Sequence, residues 1–141
     1  KGIAEESHLK LQELTDGGVM CGFDSFLGFR HGPKAVVKED SLLVYLVSRD
    51  PAVRRYEEDL IRQIDANNRT AAAVAGGVSF DLNVVLGGGD TGVYGCIPYV
   101  FTAQLLGYYK SLDRGLNPDS PSVSGNIHRV VEGVTIYPYE R

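Results

Sequence analysis

Cysteine, tryptophan and methionine are scarce: the 141 residues hold two Cys, no Trp and one Met. The two thiols, Cys21 and Cys96, form neither a disulfide framework nor a zinc-ligand spacing. A reducing compartment fits this best and points to the cytoplasm, with a single bridge left open at this stage. An excess of positive charge is also missing. The chain carries 14 Lys and Arg against 18 Asp and Glu, a formal charge of −4. That balance speaks against sequence-independent nucleic-acid binding, which needs a basic face. No run is long and apolar enough for a membrane. The longest uncharged stretch, Thr91–Tyr109, is interrupted by Gly92, Gly95, Pro98, Gln104 and Gly107. It reads instead as a helix buried in a core or a subunit interface. The opening KGIAEESHLK lacks a signal-peptide core. It begins without Met and directly in a helical pattern, as a piece of a longer chain or a processed product would. G-K-[ST], HExxH and CxxC are all absent, so neither a P-loop nor a metal site is expected.

What is present is the composition of a globular protein, 43% hydrophobic and 23% charged. A length of 141 residues sets one domain as the expectation and can bury a core without staples. Ile3–Thr15 has no Gly or Pro and is rich in helix formers, with Asp16-Gly17-Gly18 as its stop. Val19–Phe23 is a short extended candidate, and Asp24–Pro33 a loop or short helix. Ser41–Val47 has the length and apolarity of a buried parallel strand. Asp50-Pro51 then opens a helix as N-cap and first helical residue. Its apolar stripe is Val53, Tyr56, Leu60, Ile61 and Ile64, and Asn67-Asn68 closes it. Thr70–Ala75 and Leu82–Leu86 are further short apolar runs. Helix Val93–Arg114 follows, expected to bend near Gly95 or Pro98. From Gly115 onward little regular structure is expected, apart from a turn of helix near Asn126–Val131. This rhythm is that of an α/β domain with a parallel sheet.

Several residues could carry chemistry. Glu6, Lys10 and Glu13 share one face of the first helix, spanning roughly 10 Å. On the helix alone a solvated face with ion pairs is the plainer reading, and a carboxylate base tuned by a neighbouring ammonium the sharper one. His31, in Gly28-Phe-Arg30-His31-Gly-Pro33, titrates near neutral pH and could move protons; a His bonded into its own loop is the plainer reading. Asp24, Arg30, His31 and Lys34 lie among four apolar residues, and charges buried there would need partners or a ligand. Gly87–Gly92 matches G-x-G-x-x-G, and Asp113 lies at a suggestive spacing. The strand before it is the last one and no second βαβ half follows, so a flexible connector is the better reading. His128 with Arg129 could belong to a lid over an anionic substrate or to a surface turn.

The run Glu6-Ser-His-Leu-Lys-Leu-Gln-Glu13-Leu-Thr, then Asp24-Ser-Phe-Leu-Gly-Phe-Arg-His-Gly-Pro-Lys34, resembles the SIS (sugar isomerase) domain family. Within it the likeness is to the tagatose-6-phosphate ketose/aldose isomerase group, also described as galactosamine-6-phosphate deaminase/isomerases. The tail Asn117–Pro138 resembles the C-terminus of that group. The resemblance implies a three-layer, flavodoxin-like parallel sheet flanked by helices, here lacking its first strand. It implies that residues 1–141 are most of the second of two tandem SIS domains, with 115–141 a C-terminal tail. The phosphate loop would then lie in the other SIS domain, and this piece alone would be inactive.

The resemblance also implies roles. In the related glucosamine-6-phosphate synthase a helix glutamate moves a proton between C1 and C2; by motif position it is Glu13 here, with Lys10 matching a nearby lysine. The family's HGP histidine, associated with ring opening, matches His31. It reaches the neighbouring subunit's site, which implies a homodimer or higher homo-oligomer. Lys10, Arg30 and His128 are the expected substrate-binding residues. The synthase's tail lysine has no match, since Val131-Glu132-Gly133 stands in its place. The implied activity is isomerisation, with or without deamination, of a hexose or hexosamine 6-phosphate, and it needs no cofactor. Its implied partners are that sugar phosphate and the N-terminal SIS domain of the same protein, with no nucleic acid or membrane. The alternative within the family is a non-catalytic sugar-phosphate-binding regulatory module.

Overall fold

The computed structural model of the chain describes residues 1–38, 40–65, 71–74, 82–84, 92–128, 130 and 133–139. The first helix, α1, runs Gly2–Leu14. It stops where the sequence turns to Asp and Gly: Asp16 and Gly17 take φ of 50° and 71°, and the Gly17 amide donates back to the Gln12 carbonyl at 2.8 Å. Left-handed backbone suits Gly and is tolerated by Asp, so helix propagation ends there. Val19–Phe23, the short extended candidate, joins no strand among the described residues. The segment is held instead by side chains, with the Phe23 ring 5.4 Å from that of His8 on α1.

Helix α2, Phe26–Arg30, is capped by the Ser25 hydroxyl, which accepts from the Gly28 amide at 3.0 Å. His31 is its C-cap, and Pro33–Val36 form a 3₁₀ turn. Strand β1 is Leu43–Leu46. Its alternation matters more than its overall apolarity. Tyr45 and Val47 are buried in one cluster with Ile61, while Val44 on the opposite face is 43% exposed. The expected strand buried on both faces is therefore buried on one.

Helix α3, Pro51–Asp65, opens as the sequence predicts: the Asp50 carboxylate accepts from the Ala52 amide at 2.8 Å, and Pro51 needs no donor. Its inner stripe differs from the expected one. Glu57, Leu60, Ile61 and Ile64 are buried, whereas Tyr56 is 68% exposed and Val53 is also exposed. Tyr56 lies about 90° around the helix from the centre of that stripe. Val53 lies a turn before Glu57, where the buried stripe begins. Glu57 takes an inner position because its carboxylate accepts the Ser48 amide at 2.7 Å, satisfying a buried charge at the strand's end.

Strands β2, Ala71–Val74, and β3, Leu82–Val84, complete a parallel sheet in the order β1-β2-β3. Leu43 pairs with Ala71, and Ala72 with Leu82. Strand, crossover helix and parallel strand make the βαβ unit the sequence rhythm predicts. The expected helix stop at Asn67-Asn68 and the run Gly87–Asp90 fall outside the described residues, as do Thr91 and the ends of the two short apolar runs.

A 3₁₀ turn over Gly92–Gly95 leads into α4, Cys96–Asp113. The expected bend resolves into this change of winding, with Pro98 in the first turn of α4, where a missing amide costs nothing. α4 packs along α1. Gly107 is buried, and a Cβ there would lie 2.8 Å from Leu14 Cδ1. Ser111, one turn on, is also fully buried. Small residues thus let the two helices approach closely. The Tyr99 hydroxyl donates to the Val47 carbonyl at 3.3 Å, tying α4 to the end of β1. Of the run expected in a core or a subunit interface, Ile97, Phe101 and Tyr109 are more than half exposed in the single chain, so the core does not take that face. After Gly115 the described residues contain no helix or strand, and Asn126–His128 forms no helical turn.

Candidate active site

The face of α1 that carries Glu6, Lys10 and Glu13 is assembled as the helical spacing requires. Lys10 Nζ donates to Glu13 Oε2 at 2.7 Å and stands 3.8 Å from Glu6 Oε1. All three side chains are about one-third exposed, so the cluster is open to a solute. The hydrogen bond to Glu13 holds the Lys10 ammonium above its usual range; burial opposes this, and the charges of Glu13 and Glu6 add to it. A lysine in that state remains a cation through the neutral range. It can neutralise an anionic oxygen next to a carboxylate able to take a proton.

His31 is exposed at the end of α2, with its amide donating to the Gly28 carbonyl at 3.1 Å. Among the described residues no hydrogen bond, ion pair or ring contact joins its side chain to Glu13, so the single chain does not bring the two together. Arg30 is engaged elsewhere: its guanidinium donates to Asp59 of α3 at 3.0 Å. A substrate would have to share Arg30 with that carboxylate. His128 is exposed, with no side-chain partner among the described residues. Arg129 and Val131-Glu132 lie outside the described residues.

One residue at this end of α1 had no role in the sequence reading beyond stopping the helix. The Asp16 carboxylate accepts from the Val123 amide at 3.1 Å, the Ser124 amide at 2.9 Å and the Ser124 hydroxyl at 2.8 Å. The Ser124 hydroxyl, then its amide, hold the Asp16 carboxyl below the usual carboxylate range. No local signal marks such a pairing, because its partner lies more than 100 residues along the chain.

An open cleft of about 400 Å³ lies at the carboxyl end of β1, between Ile3, Leu46–Arg49 and Tyr99. The carboxyl ends of parallel strands are where α/β sheets commonly bind ligands, but neither Glu13 nor His31 lines this cleft. Cys21 and Cys96 are not bridged to each other. Burial pushes the Cys21 thiol up, so it is a poor nucleophile. Among the described residues no three His, Cys, Asp or Glu side chains gather as metal ligands, and no described helix is long and apolar enough to cross a membrane.

Comparisons with known proteins cover nearly the whole chain. No family model matches the chain. A Streptomyces coelicolor protein, provisionally named D-galactosamine-6-phosphate deaminase AgaS, is 43% identical over 97% of this chain and 38% of its own length. The D-galactosamine-6-phosphate deaminase AgaS of a Shewanella species is 37% identical over 99% of this chain and 35% of its length. A Clostridium novyi structure, provisionally named tagatose-6-phosphate ketose/aldose isomerase, superposes with a TM-score of 0.86 at 32% identity, covering 98% of this chain and 38% of that one. The chain therefore spans little more than a third of the length of the relatives it matches.

Proposed function

We propose that the chain belongs to the SIS (sugar isomerase) domain family, a reading its likeness to the AgaS deaminases and to a tagatose-6-phosphate ketose/aldose isomerase structure supports, and that it is part of a phosphosugar isomerase, with or without deamination. The substrate is a hexose or hexosamine 6-phosphate such as tagatose-6-phosphate or galactosamine-6-phosphate. Residues 1–141 are most of the second of two SIS domains, whose full sheet has a further strand and three layers. The other SIS domain supplies the phosphate loop, and the protein acts in the cytoplasm as a homodimer or higher homo-oligomer.

The observation that carries this reading is the Glu6–Lys10–Glu13 cluster, a carboxylate 2.7 Å from an ammonium on a rigid helix. Glu13 takes the proton from C2 of the opened aldose and returns it to C1, through a cis-enediol(ate). Lys10 offsets the negative charge that develops on the adjoining oxygen. His31, reaching from a second copy, opens the ring by accepting the hydroxyl proton and donating to the ring oxygen. Arg30 and His128 bind the sugar phosphate. With a 2-amino sugar phosphate the same proton transfer gives an imine that water hydrolyses, releasing ammonia. General base catalysis supplies about 10²–10⁴-fold of the acceleration.

The test uses the complete protein with galactosamine-6-phosphate and with tagatose-6-phosphate, following ammonia and sugar isomer separately. Turnover of one of them is expected, falling by about 10²–10⁴-fold in Glu13→Gln with unfolding unchanged. Saturable binding of both without turnover would instead favour a sugar-phosphate-binding regulatory module.

A further inference from the structure

We infer that Asp16 is a positioning residue that latches the C-terminal segment to the end of α1 and thereby sets where His128 stands relative to Glu13. The inference rests on the roles proposed above for Glu13 and His128. Its geometry does not. Three donors from Val123 and Ser124 converge on the one Asp16 carboxylate. The segment is folded to present them. The Ile127 amide donates to the Ser122 hydroxyl at 3.2 Å, the Asn126 amide to the Ser124 hydroxyl at 3.3 Å, and Gly125 turns the chain at φ 74°. Ser124 therefore uses its hydroxyl twice, accepting from its own loop and donating to Asp16.

A second contact joins the same two regions. The Arg114 guanidinium, at the root of the segment, occupies the space a Cβ on Gly18 would need. The turn over 16–18 is thus gripped at the start of the segment by Arg114 and in its middle by Ser124. The chain length between grips shows what the latch does. His128 is fourteen residues from Arg114, a reach of up to about 45–50 Å if free, but only four from Ser124, about 14 Å. Asp16 is three residues from Glu13, about one helical turn. The latch confines His128 to the neighbourhood of the helix end that bears Glu13, which raises its effective concentration there.

The experiment uses the complete protein with Asp16→Asn and Ser124→Ala. Asn keeps the shape of Asp and tolerates a positive φ, so Asp16→Asn reads the carboxylate rather than the backbone. Amide exchange across 120–128 is measured by mass spectrometry, with kcat and KM for galactosamine-6-phosphate or tagatose-6-phosphate. We expect faster exchange in this segment in both variants, an unchanged global unfolding midpoint, and a KM raised about tenfold with kcat held within about twofold. Unchanged exchange in both variants would overturn the latch. Faster exchange with unchanged KM would overturn the positioning role. Should Asp16→Asn fail to fold, Ser124→Ala decides alone. A wild-type protein that turns over no sugar phosphate would sink the functional reading and the role of His128 with it, while amide exchange would still decide the latch.

Discussion

Lys10 stands between two carboxylates, and that placement has separable consequences for stability and for activity. Its ammonium is held above the usual lysine range, with Glu13 as the main cause. A base whose folded value is raised contributes stability that is full below the unfolded value of 10.5 and is lost as pH rises through the higher folded value. Lys10→Met should therefore cost little, about 0.5 kcal/mol at neutral pH, as partly exposed helix pairs do. That cost should vanish in strongly alkaline solution. Activity should fall far more, about 10- to 100-fold in kcat/KM, the worth of ~1.5–3 kcal/mol for a charged hydrogen bond to substrate. Urea unfolding across pH and steady-state kinetics of the complete protein check both. Parallel losses would reduce Lys10 to a helix-stabilising residue. The Glu6–Lys10–Glu13 cluster is legible in the sequence because one helical period fixes it. The Asp16–Ser124 pairing is not, since no periodicity links residues so far apart.

Among the elements, the local signals that stop or start a helix are the most readable. Asp16-Gly17 ends α1 and Asp50-Pro51 opens α3 where the residues say they should. The burial pattern is less so. The apolar stripe of α3 is misread at its N-terminal end: Val53 and Tyr56 are exposed, and burial begins at Glu57. An inner carboxylate, Glu57, is useful there because the Ser48 amide needs an acceptor. Val19–Phe23 pairs with no strand among the described residues, and its Phe23 ring lies against that of His8. The corrected stripe predicts that Leu60→Ala costs about 2–5 kcal/mol, the usual range for a fully buried leucine. Val53→Ala and Tyr56→Ala should stay within about 0.5–1 kcal/mol. Denaturant midpoints of the three variants in the complete protein would show this ordering, and an equal loss for Val53→Ala would restore the longer stripe.

At the scale of the whole molecule, the single chain does not bring the proposed catalytic residues together. Glu13 lies on α1, His31 is exposed beyond α2 without a contact to it, and the outer face of α4 stands open at Ile97, Phe101 and Tyr109. The relatives are nearly three times as long. On the reading proposed above, the site is completed by a second copy, in which Glu13 of one protomer and His31 of another act on the same sugar. Two inactive variants of the complete protein, Glu13→Gln and His31→Ala, carrying different tags and co-expressed, test this directly. In a mixed dimer one of the two shared sites keeps both groups, so random pairing should restore about a quarter of the wild-type activity, and the purified heterodimer about half. A heterodimer no more active than either single variant would contradict the account.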